Sequence, residues 1–506
     1  MAYKKHQFTN IIKLFSGMNI VDTPDVITKK GQSTYILNCY NYPEGGIAKL
    51  FGRSKHNSDL IGADDEITGI YQLNIATPAF YCIAEDKLYK DNAGNWESIA
   101  GVTISDDKNN LWSFSKFQDL MIGSSFGRNA PIEHNGGAGD AAAVANMPSG
   151  RFNAVLALRL FSFNTVAQPK LGYWSATNDR TIWDTTNDFL NFQASEADDE
   201  EISGVGEHLN TLIVGKEHSV FRLYHTGTEP PFKYYKLTGN SGILSHYSIQ
   251  KIPACGIYPE RLFWIGRDNF YQLVGDTITS IADDIKPFFS EGAPFQINLG
   301  RLQYCTSGII AEKNLYWCAF TSGSGSTNDY CFILDYKNMM WALCDFPCNC
   351  FGKRIISGRE FLYSGNYGGI VCKHDPAIYN NLGAAYTASF YTSWLDFGDT
   401  QLEKQIKYAI ALFDAVGDYD LTMQYRTNLG VDTNTLEMVT GADLLGIDFI
   451  LGTSELGGVE VIERSSEINK RFKRIQILFQ HSTLNEYFRL FAIGFLWKQM
   501  RGYRIE

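Results

Sequence analysis

The sequence contains no apolar run long enough to cross a bilayer as a helix, no Cys-x-x-Cys pair and no His-Glu-x-x-His cluster. It also lacks a Gly-x-x-x-x-Gly-Lys-Ser/Thr loop, so nucleotide hydrolysis has no phosphate cradle, and no Gly-x-Ser-x-Gly sits on a strand-to-helix turn to make a nucleophile elbow. Charge is sparse, at 20% of residues, and its balance is acidic, with a net charge of −11. That balance excludes a general nucleic-acid binder, which needs a basic face to displace phosphate counterions. It suits a wall past which a duplex must slide without sticking. The basic opening residues precede Ile11-Ile12, where Lys13 interrupts the apolar run, so no secretory signal is expected. Of the 10 cysteines, Cys82, Cys255, Cys305, Cys318, Cys331 and Cys372 lie in apolar runs, where free thiols behave as small hydrophobes. A soluble protein folded in a reducing cytosol is the expectation.

What is plentiful is aromatic side chains, 14% of the 506 residues, with 33 Phe and 28 Tyr. Flat rings and branched side chains favour pleated, half-buried surfaces, so the class expected is all-β. Between about Ile67 and His374 one loose unit recurs every 40–60 residues, beginning near Gly69, Leu111, Arg151, Ile202, Ser245, Leu302 and Lys353. Each unit carries a continuous apolar run of strand length, such as Ala79–Ala84, Arg159–Phe163, Thr211–Gly215, Arg261–Gly266 and Asn314–Phe320. Such a run is buried on both faces, as an inner strand between neighbouring blades would be. The period is that of a four-stranded blade, and the series predicts a β-propeller of about seven blades.

Three domains are expected from these patterns. Residues 1–66 read as an arm with a hairpin, Tyr35–Tyr40 turning through Pro43–Gly46 into Ile47–Phe51 and packing on the first blade. A strand from this arm could complete the last blade, the usual way a ring of sheets is closed. Residues 67–380 are the propeller. Residues 381–506 lose the repeat but keep the strand habit, which predicts a β-sandwich of jelly-roll type, with Arg471–Phe479 and Phe488–Trp497 paired. Asn135–Ala145 lacks large side chains and reads as a loop or inserted finger.

Candidate sites are few. Asp198, Asp199, Glu200 and Glu201 form an acidic run between the third and fourth units, readable as a solvated connection or as an anion-lined channel rim. Lys470, Arg471, Lys473 and Arg474 flank Phe472, either as the wet face of a strand or as a contact for an acidic neighbouring subunit. Cys344, Cys348 and Cys350, with Cys331 upstream, have the wrong spacing for zinc and no nearby histidine, so thiols packed between strands are expected. Asp179, Asp283 and Asp284 are the carboxylates a glycan-cutting propeller would draw on. Ser175–Trp183 departs from the sialidase Asp-box in spacing, lacks its glycine and occurs once. No catalytic, cofactor or metal site is predicted.

Leu14–Asn19 followed by Asn38–Arg53 resembles the start of propeller proteins in bacteriophage tails. There, a Gly-Leu-Asn turn precedes an Asn-containing strand and a Gly-x-Leu-x-x-Arg-x-Gly hairpin. Here Phe15-Ser16 stands where a glycine is often found, and Ser54 follows Arg53 in place of a Gly. Arg159–Phe163 with Tyr173–Ala176 and Trp183, and Gly239–Gly242 with Arg261–Tyr271 and Ile281–Ile285, agree with the same family. So do Trp394–Gly398 with Lys404, and the closing Phe488–Gly502. The resemblance is to the tail nozzle and packaged-DNA stabilisation proteins of short-tailed phages. It implies a virion subunit assembled in the host cytoplasm into a ring, typically a homohexamer, beneath adaptor and portal proteins. Such a ring touches other tail proteins, retains double-stranded DNA and conducts it at ejection. The rival readings are a glycan-binding or glycan-degrading propeller used for host attachment, and a scaffold binding peptides in its central funnel.

Overall fold

The computed structural model describes residues 7–12, 16–21, 32–42, 46–57, 59–61, 65–84, 86–105, 107–237, 241–254, 256–290, 292, 296–398, 401–414, 420–428, 430–437 and 461–500. Leu14, Phe15, Pro43–Gly45, Gly239, Cys255, the stretch 438–460 and Arg501-Gly502, named above, lie outside these residues. The chain divides into two compact units. One is Ser54–Phe332 with Phe346–His374; the other is Met1–Arg53, Ile333–Asp345 and Asp375–Glu506.

The first unit is a β-propeller. Blade one is Ile67–Leu73, Ala79–Ala84, Lys87–Asn92 and Asn95–Ile99, in that order from the axis. Blade two is Trp112–Phe117, Leu120–Ser125, Ile132–His134 and Ala142–Ala143. Blade three is Gly150–Leu156, Arg159–Thr165 and Leu171–Ala176, whose outer side pairs with both Asp179–Trp183 and Phe189–Asn191. Blade four is Gly204–His208, Thr211–Gly215, Val220–His225 and Phe232–Lys236, and blade five is Gln250–Ile252, Arg261–Ile265, Phe270–Val274 and Thr277–Ser280. Blade six begins with Thr306–Ile310 and Leu315–Phe320 and runs on into Tyr330–Asp335. Blade seven is Cys350–Ile356, Arg359–Gly365 and Val371–His374, and the strand Arg53–Lys55 supplies its outer edge. The His56 N–H donates to the Val371 carbonyl at 2.8 Å. An early segment thus seals the last blade and removes an unpaired edge.

The apolar runs picked out in the sequence are the second strands of the blades, not the innermost ones. Ala79–Ala84 and Leu315–Phe320 are buried along their whole length. The first strands are mixed, as in Trp112–Phe117 and Gly150–Leu156, because one side of each faces the axis. The second strand is the one covered by a neighbouring blade on both faces. Between blades three and four this covering is largely aromatic: Phe161, Phe163, Trp174, Phe192, Phe221 and Phe232 form one cluster. Each such ring removed from water contributes about 2–3 kcal/mol. Near the axis the blades converge too closely for side chains. A Cβ on Gly352 would stand 2.7 Å from the Ile70 carbonyl oxygen, which is why the wedge ends in glycine there.

Asn135–Ala145 is no free loop. Ala142 and Ala143 pair with Glu133 and Ile132 as the outer strand of blade two, and Ala141 and Val144 are buried. Small residues can line an edge that larger ones would overfill.

In the second unit, one sheet runs Cys39–Asn41, Ile47–Lys49, Arg489–Gln499, Lys404–Asp414 and Val461–Phe472, with Gln7–Ile12 also on Arg489–Gln499. Another series runs Met340–Cys344, Ser33–Leu37, Ala388–Thr392, Ile475–His481, Asp420–Thr427 and Gly430–Glu437. Lys404–Asp414 alternates buried and half-buried side chains along its length, the period of a strand with one covered face. Two expectations are corrected here. The expected Tyr35–Phe51 hairpin is narrower and does not pair with blade one: Cys39–Asn41 pairs with Ile47–Lys49, whose Ile47 faces Leu490 and Ala48 faces Arg489, while Tyr35–Leu37 belongs to the other series. Ile475–His481 and Arg489–Gln499 are not partners; the first pairs with Ala388–Thr392 and Asp420–Thr427, the second with Lys404–Asp414. Seven residues between two strands invite a hairpin, but tertiary pairing overrides that local preference.

Candidate functional site

The first strands of the seven blades pack side by side and close a ring about the axis. They enclose a cavity of about 620 Å³ whose wall draws on every blade. A second cavity of about 450 Å³, lined by blades one, five, six and seven, shares Ile70, Tyr71, Gln250, Lys251, Ser307 and Phe351 with it. The cavity is a funnel stopped at one end. A short 3-10 turn, His246–Ser248, crosses the axis ahead of the strand Gln250–Ile252. Tyr247 Oη donates to the Leu111 carbonyl at 2.7 Å, and the Tyr247 carbonyl accepts from Ser307 Oγ at 3.0 Å. His246 stacks on Phe152, centroids 4.4 Å apart, and bonds to both sides of the ring.

Burial pushes the His246 imidazole down to about 3, so it is neutral at physiological pH. Its tautomer follows from its neighbours. Nδ1 accepts the Val205 N–H at 3.2 Å, which leaves the proton on Nε2, 2.9 Å from Ser113 Oγ. One side chain therefore ties blades two, four and five together across the axis. Three further neutral groups in the wall, Ser115 Oγ, Asn153 Oδ1 and Thr306 Oγ1, have no protein partner. Ionic groups at the mouth are matched: Glu207 holds Lys251 at 2.9 Å. Neutral hydrogen bonding and shape are what this funnel offers chemically.

The acidic run lies where expected, between blades three and four, but each carboxylate has a basic side chain beside it. Asp198 meets Lys216 at 2.8 Å, with both side chains buried. Asp199 meets Lys170 at 2.6 Å, Glu200 meets His218 Nδ1 at 2.7 Å, and Glu201 meets Arg151 at 3.0 Å and Arg128 at 3.4 Å. These contacts fasten the connection between two blades onto the loops of blades two, three and four. The basic group belongs to the other unit. Lys470, Arg471, Lys473 and Arg474 are exposed around buried Phe472. Lys470 reaches Asp432 at 3.1 Å and Arg474 lies over the Trp394 ring at 4.9 Å.

The remaining candidates do not converge. Among the described residues no three metal-ligating side chains come together. Cys331 and Cys348 both direct their thiols to the Phe346 carbonyl, and Cys350 directs its thiol to the Ile67 carbonyl. Asp179 caps its own turn through Thr181, and Asp283 accepts from Asn269 at 2.7 Å. The axial turn at His246-Tyr247 went unread because it carries no motif; its one trace is the gap between the unit start at Ser245 and the strand beginning at Gln250.

Fold and site together define a seven-bladed β-propeller whose axis is closed by one of its own turns. No protein-family model and no curated protein matches the chain. Among solved structures it is similar to the β-propeller domain of Cps50 (Swd1) from Myceliophthora thermophila, at 9% identity and a TM-score of 0.41 over 63% of this chain and 99% of that one. It is also similar to YCF48 bound to a D1 peptide, at 12% identity and TM-score 0.39 over 62% of this chain and 94% of that one. A third is the extracellular domain of a one-component system from B. thetaiotaomicron, at 9% identity and TM-score 0.41, where 70% of this chain spans 43% of that one. Likenesses this loose carry no argument about activity; the blades themselves define the fold.

Proposed function

We propose that the chain is a structural subunit of a phage tail, a nozzle or hub protein without catalysis, whose copies form a ring around the DNA-exit channel. One observation carries this reading. The stretches that bear the resemblance lie at opposite ends of the sequence, yet they are adjacent strands of one sheet: Ile47 pairs with Leu490, and Lys49 N–H donates to the Phe488 carbonyl at 3.0 Å. Arg489 lies 4.0 Å over the Tyr42 ring in the same place. Short motifs scattered over a chain mean little; motifs that build one shared substructure are a stronger signature.

The closed axis refines the proposal. A duplex cannot thread a propeller crossed by His246 and Tyr247, so the passage must lie between copies. A rotationally symmetric ring needs two different surfaces that meet and close. The exposed cations Lys470, Arg471, Lys473 and Arg474 are one such surface for an acidic neighbour, and a net charge of −11 keeps DNA from adhering to the wall. The proposed partners are further copies of the chain, adaptor and portal-side proteins, other tail proteins and passing double-stranded DNA. Negative-stain microscopy of the purified protein tests this: rings with an open axial hole are expected, and a stable monomer at micromolar concentration refutes it. The glycan-binding alternative draws on the neutral polar wall of the funnel. Release of new reducing ends from host surface polysaccharide, or its binding by calorimetry, would favour that alternative.

A further inference from the structure

Asn-Gly occurs once in the sequence, at Asn135-Gly136, and the fold surrounds it with groups suited to changing it. The pair opens the turn between Ile132–His134 and Ala142–Ala143, the two outer strands of blade two. Asn135 is exposed, and Gly136 has a φ of 82°. A Cβ at Gly136 would stand 2.8 Å from Ile75 Cδ1, so the turn keeps a residue with no side chain there. Without a Cβ, nothing on Gly136 shields its nitrogen from the carboxamide carbon next door.

The preceding residue supplies a base. His134 Nε2 lies 3.0 Å from the Gly139 carbonyl, which can only accept, so the imidazole proton sits on Nε2. Nδ1 keeps its lone pair and accepts the Gly136 N–H at 3.1 Å, the reach a general base needs. The Tyr81 hydroxyl, 2.7 Å away, competes for the same lone pair. Burial holds the ring below its ordinary value, so it is neutral at physiological pH. Around it, burial keeps Tyr81 protonated, and Lys90 Nζ is fixed on the Gly136 and Gly137 carbonyls at 2.7 and 3.0 Å. The electrophile is held too: Asn135 Oδ1 accepts the Gly137 N–H at 2.9 Å, which orients the carboxamide and draws charge from Cγ. We propose that Asn135 is a deamidation site of the folded protein, with His134 as the base. Nδ1 takes the Gly136 amide proton, the nitrogen bonds to Asn135 Cγ, and the carboxamide nitrogen leaves as ammonia, carrying that proton away. Water then opens the cyclic imide at either carbonyl, leaving aspartate or isoaspartate in place of Asn135. Either product adds a carboxylate to the turn that anchors Lys90, and isoaspartate also lengthens the backbone of that turn by one carbon. Neither the base nor the turn depends on the assignment to a tail.

The test is the rate of conversion at Asn135 in the full-length protein, followed by peptide mass spectrometry between pH 6.5 and pH 8. Deamidation driven by hydroxide rises about tenfold per pH unit, whereas transfer to an imidazole already in its basic form should change by less than about twofold over this range. At pH 7 the folded protein should convert about tenfold faster than the same chain unfolded in urea. His134→Gln should lower the folded rate about tenfold and restore the steep pH dependence. Tyr81→Phe removes the competing donor and should raise the rate about threefold. The wild-type pH profile and the tyrosine variant decide the matter even where the histidine variant does not fold. An Asn135 that stays intact, a folded rate that climbs tenfold per pH unit, a folded His134→Gln that converts like wild type, or a slower Tyr81→Phe would overturn the proposal.

Discussion

Replacing Lys216 by Met separates the two readings of the acidic run. Lys216 is fully buried, Asp198 is 5% exposed, and the ammonium lies 2.8 Å from Oδ2. Burial works to raise the Asp198 carboxyl, but it is outweighed by the Ala194 N–H, the Lys216 ammonium and the Glu200 N–H, and the group ends below the usual carboxylate range. Methionine fills the space of the lysine stem and leaves the carboxylate without its cation. Breaking one side of a buried pair costs about 3–5 kcal/mol. A unit of this size loses about 1.5 °C per kcal/mol, so the melting temperature should fall by roughly 5–8 °C at pH 7. Because the folded-state value is depressed, the contribution is present above the unfolded carboxyl value of about 4 and is lost as pH falls through the folded value. The deficit of the variant should therefore shrink on acidification. Adding Asp198→Asn to Lys216→Met should recover a large part of it. Thermal unfolding followed by circular dichroism from pH 7 to pH 3 reads all three effects. A deficit under about 1 kcal/mol at pH 7 would mean that the run is solvated and the pair is ornamental.

His246 gives a pH signature. Its folded value is about 3 against 6.5 unfolded, so below pH 6.5 the unfolded chain takes a proton that the folded one refuses. Stability should fall by about 1.4 kcal/mol per pH unit down to about pH 3. Urea titrations of His246→Gln should show a slope shallower by one proton; buried His481, pushed down to about 4, leaves a parallel slope in both proteins. Gly352→Ala should cost about 1–3 kcal/mol, because the new Cβ meets the Ile70 backbone and neither blade can yield, and an unchanged denaturation midpoint would contradict that packing. Asp91→Asn removes a carboxylate that is 2% exposed between His56 at 3.1 Å and Arg354 at 2.9 Å. It should destabilise by about 2 kcal/mol and speed hydrogen exchange in the strand Val371–His374, next to the sealing segment.

The blades were legible in the sequence for a physical reason. A strand covered by neighbours on both faces must be apolar at every position, and Thr211–Gly215 or Arg261–Ile265 advertise that without any knowledge of their partners. The first strands were harder to see, since facing the axis breaks the pattern; the apolar runs, read as inner strands between neighbouring blades, are the second strands. The acidic run was visible as a charge cluster. Its partners were not, because Arg128, Arg151, Lys170, Lys216 and His218 come from three different blades. Ala142-Ala143 shows the reverse failure: composition suggested a loop, while pairing with Ile132-Glu133 made a strand of it.

Sequence alone determined that this chain is all-β and that its middle repeats as about seven blades, because burial of each strand is written into its own residues; the exact number came from the sheets themselves. Tertiary structure decided what lies on the axis, which cations answer the acidic run, and that Ile47–Lys49 should lie beside Arg489–Gln499. Those outcomes depend on residues hundreds of positions apart meeting in space, and a contact of that kind leaves no local pattern to read.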